Sequence, residues 1–371
     1  MPPVKKAARI ARRILGSLLL MGAATLAMAA DGQFYGLMRE RDLTPFGFMR
    51  LDMRPAHAVS TEPGSWALET DVAFQNTWAL SPEVERYLGT LQGRREIGPA
   101  ELAAIRALPG ENYLADFELA LLDVTLQYKF SSQWAGYVVL SGVHYGGGFL
   151  DGTIEKFHDT FGFSDFGRPA VVRNGTSYIL DLKNSQVALF EAPTSGGLLD
   201  PTFGLRYSGI TLGKDWKVIL EAAAKVPVRG REDLLSTGRT DYGMQMTLQK
   251  FAGHHAWYAA GSAVYYAGSP NFAPNDSKII PTLVVGYERQ LTANTHAILQ
   301  GYASPSVYSH RDTDLDDLLA TKYQLSLGVY HRIGAGLISF AVTENLQNLN
   351  NTPDIGFQLG FAFGRALLAP Q

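Results

Sequence analysis

The densest chemistry in this sequence lies at Phe157-His158-Asp159-Thr160-Phe161, followed shortly by Asp165 and Arg168. A histidine among carboxylates can serve as a base or a metal ligand once a partner such as Asp159 or Asp165 orients its ring. A nearby arginine can grip a carboxylate or phosphate through its forked guanidinium. His158 and Asp159 are therefore the catalytic candidates. Phe157, His158, Asp165 and Arg168 are the candidates for a ligand-contacting loop or lid. If the run from Thr153 to Phe161 is helical, Ile154, Phe157 and Phe161 share a face that can dock on a neighbouring surface. That would leave His158, Asp159 and Glu155 on the polar side. The plainer reading, which these residues favour, is a lid anchored by its aromatic rings and solvated by its polar groups.

Other constellations are thinner. With no cysteine there is no thiolate chemistry, disulfide or cysteine-built metal site. None of the eight histidines sits in a His-Glu-x-x-His arrangement, and His254-His255 point oppositely in an extended chain. Asp312, Asp314, Asp316 and Asp317 could attract Ca²⁺ or join lipopolysaccharide through divalent cations. The run lacks the central glycine and final glutamate of a calcium-binding loop, so a solvated loop is the expectation. Ser141 and His144 are three apart and fall on opposite faces of a strand, which fails a serine-histidine pairing. Gly146-Gly147-Gly148 has no following Lys-Ser/Thr and is no phosphate cradle. No metal and no cofactor is expected.

These residues need a scaffold, and the clearest one is a repeated alternation. Leu220, Ala222 and Ala224 take one face of Trp216–Val226, and Lys217, Glu221 and Lys225 take the other. Tyr323, Leu325, Leu327 and Val329 repeat the pattern, as do Phe357, Leu359, Phe361 and Phe363 against Gly356, Gln358, Gly360 and Ala362. Bulky apolar residues opposite glycine, alanine and glutamine suit a wall that faces lipid. Twelve such segments can be drawn, starting at Trp66–Trp78, Phe117–Phe130 and Gln133–Tyr145. Their connections alternate between short (131–132, 212–215, 251–254, 291–293, 333–334) and long (79–116, 146–202, 228–239, 268–278, 305–319, 346–353). That alternation predicts a 12-stranded antiparallel up-and-down transmembrane β-barrel, all-β, with short helical elements in long outer loops. Helices are expected at 98–108 and 153–163, and a hairpin within 178–190. The wall's polar face would carry Glu69, Asp71, Asp123, Lys129, Arg206, Lys217, Glu221, Lys225, Glu288 and Arg332 into the lumen. Mixed signs there imply ion pairs that brace neighbouring strands or line a narrow polar path.

Lys5, Lys6, Arg9, Arg12 and Arg13, an apolar Ile14–Leu26 and Ala27-Met28-Ala29 have the form of a signal peptide cleaved after Ala29. Removing those five basic residues takes the balance from 32 against 35 to 27 against 35, about −8. An acidic mature chain excludes nucleic acid as a partner. The expected organisation is 1–29 signal peptide, 30–65 periplasmic N-terminal segment, 66–364 barrel and 365–371 C-terminal tail. The lead-in is expected to pair weakly or enter the barrel base, with a short plug across the lumen as the alternative.

Arg41-Asp42-Leu43-Thr44-Pro45-Phe46, Ile154-Glu155-Lys156-Phe157-His158-Asp159-Thr160-Phe161-Gly162 and Gly167-Arg168 are similar to landmarks of an outer-membrane barrel family known as domain of unknown function 3187. The resemblance implies the barrel architecture and carries no activity, substrate or site residue. The expected location is the cell outer membrane. Expected partners are outer-membrane lipid and lipopolysaccharide, periplasmic chaperones and the barrel-assembly machinery, with a small-molecule solute. Passage or binding of that solute in a polar lumen is the favoured function. The alternatives are a lipid- or lipopolysaccharide-modifying enzyme and a structural or adhesive barrel.

Overall fold

The computed structural model describes residues 34–44, 49–55, 59–60, 62–162, 164–189, 196–214, 216–228, 230, 234–268, 277–347, 355–364 and 366–367. The signal peptide expected at 1–29 lies outside the described residues, as does most of the 365–371 tail. Twelve strands form the wall: β1 (Ser65–Leu80), β2 (Asn112–Lys129), β3 (Trp134–Gly146), β4 (Thr202–Leu212), β5 (Trp216–Lys225), β6 (Asp241–Ala252), β7 (His255–Tyr266), β8 (Lys278–Gln290), β9 (Thr295–Ser304), β10 (Lys322–Ile333), β11 (Gly336–Gln347) and β12 (Ile355–Phe363). Each pairs antiparallel with the next in sequence, and β12 returns to β1, with Phe357 opposite Phe74. Closure leaves no edge of the wall unpaired, the condition for crossing lipid with strands.

Alternation decides which way each residue points. On β12, Leu359, Phe361 and Phe363 are exposed on the outside while Gln358 and Ala362 are buried inside. On β5, Leu220 is outward, and Glu221 and Lys225 are inward. Trp66, Trp134, Trp216 and Trp257 ring the outside at the short-turn end, and Phe203, Tyr242, Tyr265 and Tyr323 do so near the other. Trp257 and Tyr265 are eight residues apart on β7. At about 3.4 Å per residue and about 40° of tilt, that spans roughly 21 Å of membrane normal, close to the apolar band of about 25 Å typical of such barrels.

The short turns hold Gly253 at φ 56° and Gly334 at φ 59°, a left-handed conformation that glycine adopts without cost. Chain entry and exit share that rim, where Val59–Ser60 pairs with Ala366–Leu367. The long connections carry α1 (Pro82–Thr90), α2 (Pro99–Arg106), α3 (Asp151–Phe161) and α4 (Asp316–Leu319). The expected helices at 98–108 and 153–163 are α2 and α3. α1 went unanticipated, although Pro82 at its first turn favours a helix start. The hairpin expected within 178–190 is Ser177–Leu182 with Ser185–Leu189, added to the part of β2 (Asn112–Asp116) that rises beyond the wall.

Leu359 lies midway along β12, in register with Val72 and Phe340, both outward. Replacing Leu359 by arginine should destabilise the folded barrel by about 2–4 kcal/mol, the cost of an arginine near the bilayer midplane. A urea titration of the protein in lipid vesicles measures this, and an unchanged midpoint would place Leu359 away from lipid.

Candidate functional site

The lumen is occupied by the chain's own N-terminal segment. The stretch expected as a periplasmic lead-in at 30–65 runs instead, over Phe34–Thr44 and Met49–Pro55, inside the barrel. It rises along β8–β10 and descends along β5–β6 and β1–β2. Near the short-turn rim, the backbone N–H groups of Tyr35 and Gly36 donate to Glu288, each at 3.0 Å. Higher up, Met38 N–H donates to Gln300 at 2.9 Å. At the far end Asp42 lies between Arg50 (2.8 Å) and Lys322 (3.0 Å). On the descending limb Leu51 N–H donates to Asp241 at 2.9 Å, and Gln245 donates to the Arg54 carbonyl at 3.2 Å. Buried backbone groups without a ladder need such partners, and the wall's polar side chains supply them.

The wall is shaped for this segment. A Cβ added at Gly243 would come within 2.7 Å of Met53 Sδ and 3.0 Å of a Leu51 methyl. One added at Gly286 would collide with Leu37, and one at Gly328 with Met38. These three glycines are sockets. Between segment and wall there remains a cavity of about 30 Å³, room for roughly one water, bordered by Arg39, Arg41, Arg50, Arg54 and Lys225. Toward the long-loop end, Leu43 and Met49 join Tyr145, Tyr178, Tyr266 and Tyr308 in an apolar core that caps the lumen.

Most of the charges expected in the lumen are there and paired. Arg206 and Glu221 stand opposite each other on β4 and β5, with Nε and Nη2 each 2.9 Å from Oε1. Glu221 also accepts from Gln245 at 2.7 Å. Lys225 meets Asp241 across β5–β6 at 2.9 Å. Glu288 accepts from Tyr258 at 2.6 Å and meets His296 at 2.5 Å. Glu69 lies 3.3 Å from Arg39. Asp71 and Asp123 are both within 3.4 Å of Arg54. Lys129, Lys217 and Arg332 are less central. All three are half-buried near the short-turn rim, and Arg332 Nε donates to the Gly334 carbonyl at 3.1 Å, closing a turn. Asp241, Lys322 and His296 were missed, although their inward parity on β6, β10 and β9 marked them. Arg39, Asp42, Arg50 and Arg54 had no periodic pattern to reveal them.

The loop residues part company. His158 Nδ1 lies 3.1 Å from Asp165, which orients the ring, whereas Asp159 is exposed. Arg168 is buried and its guanidinium bonds Asp151 (2.6 Å) and Asn76 (3.2 Å), with Trp78 beneath it at 4.9 Å, so it braces the loop against β1. The expected docking of Phe157 and Phe161 is corrected. They are 51% and 58% exposed and their rings meet at a tilt of 46° with centroids 4.7 Å apart, while Ile154, Asp151 and Glu155 face inward. Glu155 can be buried because Arg94 and Arg173 bond it at 2.7 and 2.5 Å. Burial alone would raise its pKa, and hydrogen bonds from those two arginines outweigh that and lower it. Among the described residues no group of three or more histidine, aspartate or glutamate side chains is placed to hold a metal. Asp312 caps Ser309 at 2.8 Å, and Asp314 pairs with Lys183 at 2.5 Å, while Asp316 opens α4.

The fold is shared with a solved barrel of very different sequence. The COG4313 outer membrane channel from Pseudomonas putida F1 superposes with a TM-score of 0.51 at 9% identity, over 84% of this chain and 99% of that one. The translocator domain of autotransporter NalP from Neisseria meningitidis gives 0.40 at 8% identity, over 82% and 90%. No curated protein matches the chain in sequence. A family model matches residues 14–365, nearly its whole length, and on that match the chain belongs to the family Protein of unknown function (DUF3187).

Proposed function

We propose that the chain is an outer-membrane channel or transporter that passes or binds a small solute in its polar lumen, held shut in this state by its N-terminal segment. The observation that carries this reading is how the lumen is closed. A single segment fills it, seated in glycine sockets and tied by hydrogen bonds and ion pairs that water and solute can replace. A barrel kept only as a rigid support has no need of a separable filling. The fold shared with a protein described as an outer membrane channel agrees with the reading. Twelve strands enclose a narrow interior, suited to small solutes and not to a general pore. The catalytic alternative would rest on His158 with Asp165, since Asp165 and not Asp159 lies against its ring.

The test is electrical. The mature chain folded into a planar bilayer should give brief, discrete current steps, and displacing the segment should make them long-lived. A folded wild type and a folded segment-displaced variant that both stay at baseline would refute a passage through this barrel.

A further inference from the structure

The wall's charges fall into two sets. Arg206 with Glu221 and Lys225 with Asp241 are cross-strand partners of opposite sign within the wall, although Lys225 also donates to the Met49 carbonyl and Asp241 also accepts from Leu51 N–H. Glu69, Asp71 and Asp123 differ. They lie on the adjacent strands β1 and β2, inside the lumen, with Asp71 directly opposite Asp123 in register. Like charges at directly opposed positions destabilise a sheet unless a cation joins them.

The cations that meet them are arginines of the N-terminal segment. Arg54 Nη1 lies 3.4 Å from Asp71 and 3.1 Å from Asp123, and its Nη2 donates to Thr125 at 2.9 Å. Arg41 approaches the other Asp123 oxygen at 3.5 Å, and Arg39 meets Glu69 at 3.3 Å. Gln358 donates to Asp71 at 3.1 Å and Ser141 donates to Asp123, so both carboxylates are oriented by the wall itself. A guanidinium therefore sits in a recess of fixed acceptors spread to suit a planar fork of N–H donors.

Resting on the channel reading above, we infer that Glu69, Asp71 and Asp123 form the selectivity site of the passage, which takes the guanidinium group of a small organic cation, with Arg54 as its tethered occupant in the closed state. The segment is then both stopper and substrate mimic. A solute that brings its own guanidinium to Asp71 and Asp123 replaces the contacts Arg54 gives up. Opening in its presence therefore leaves no pair of buried carboxylates without a cation.

The experiment compares full-length mature variants in planar bilayers under a KCl gradient. The starting protein carries phenylalanine at Gly243 and Gly286 to displace the segment. Its reversal potential should lie on the cation-selective side, and guanidinium chloride should block its current. Adding Asp71→Asn with Asp123→Asn should move the reversal potential toward zero and weaken the block by about tenfold or more. Because Arg54 would then lack its partners, the pair is also made with Arg54→Gln, so that folding does not depend on a lone buried cation. Anion selectivity, or a block indifferent to both carboxylates, overturns this inference and leaves gated passage standing. Silence of every folded variant overturns the passage and the inference together.

Discussion

Phenylalanine at Gly243 and Gly286 together should raise the open probability of the reconstituted barrel by roughly 30-fold or more. Both glycines face the lumen on strands that stay intact around them. At Gly243 the three atoms nearest to an added Cβ belong to Met53 and Leu51, and at Gly286 the nearest belongs to Leu37. Those are ends of flexible side chains, which can yield to a methyl group, so alanine should do little. A phenyl ring cannot be absorbed that way. Overpacking costs about 1–3 kcal/mol per site. The lower figure at two sites, about 2 kcal/mol, already shifts a two-state balance roughly 30-fold. The two sites act on different limbs of the segment, Leu37 ascending and Met53 descending, so their costs should add nearly independently. Long-lived current steps in single-channel recordings, with the barrel still folded, are the expected result. Steps no longer than those of the wild type would mean that the segment does not set the open probability.

The wall could be read from the chain because a sheet residue has only two directions to point. Lys217, Glu221 and Lys225 against Leu220 and Ala222 define a lumen and a lipid face before any contact is known, and cross-strand pairs such as Arg206 with Glu221 follow from them. The lumen's contents could not be read this way. Phe34–Thr44 and Met49–Pro55 build no ladder. Several of their backbone groups are satisfied by wall side chains more than 150 residues away, such as Glu288 for Tyr35 and Asp241 for Leu51. A segment rich in arginine and aspartate with no period looks solvated, and Gly243 and Gly286 look like ordinary sheet glycines until their neighbours are seen. α3 misled for a related reason. Its apolar face suggested docking through Phe157 and Phe161. The side that is buried carries Asp151 and Glu155, because Arg168 and Arg173 later in the same connection, and Arg94 from the preceding long one, reach them.

That inversion makes Arg168 the most consequential side chain outside the lumen. Replacing it by alanine should destabilise the loop cap by about 3–5 kcal/mol, the penalty for breaking a buried ion pair from one side. Asp151 would stay buried, held by Asn174 N–H at 2.7 Å and Asn76 at 3.3 Å, with its countercharge gone and the Trp78 face uncovered. The loss should be local. Arg168 touches the β1–β12 seam only at its loop end, through the Asn76 side chain, so the barrel should keep its folded migration in gels. Amide exchange in α3 and the Ser177–Leu189 hairpin should accelerate. Lysine at 168 should recover only part of the protection, since an ammonium cannot fork between Asp151 and Asn76. Arg168→Met with Asp151→Asn should recover more than Arg168→Ala alone, because the cost lies in the stranded charge and not in the absence of the pair. Exchange rates in α3 that ignore Arg168→Ala would show that Glu155, with Arg94 and Arg173, holds the helix unaided. A double variant no better than the single one would place the cost in lost packing over Trp78 instead.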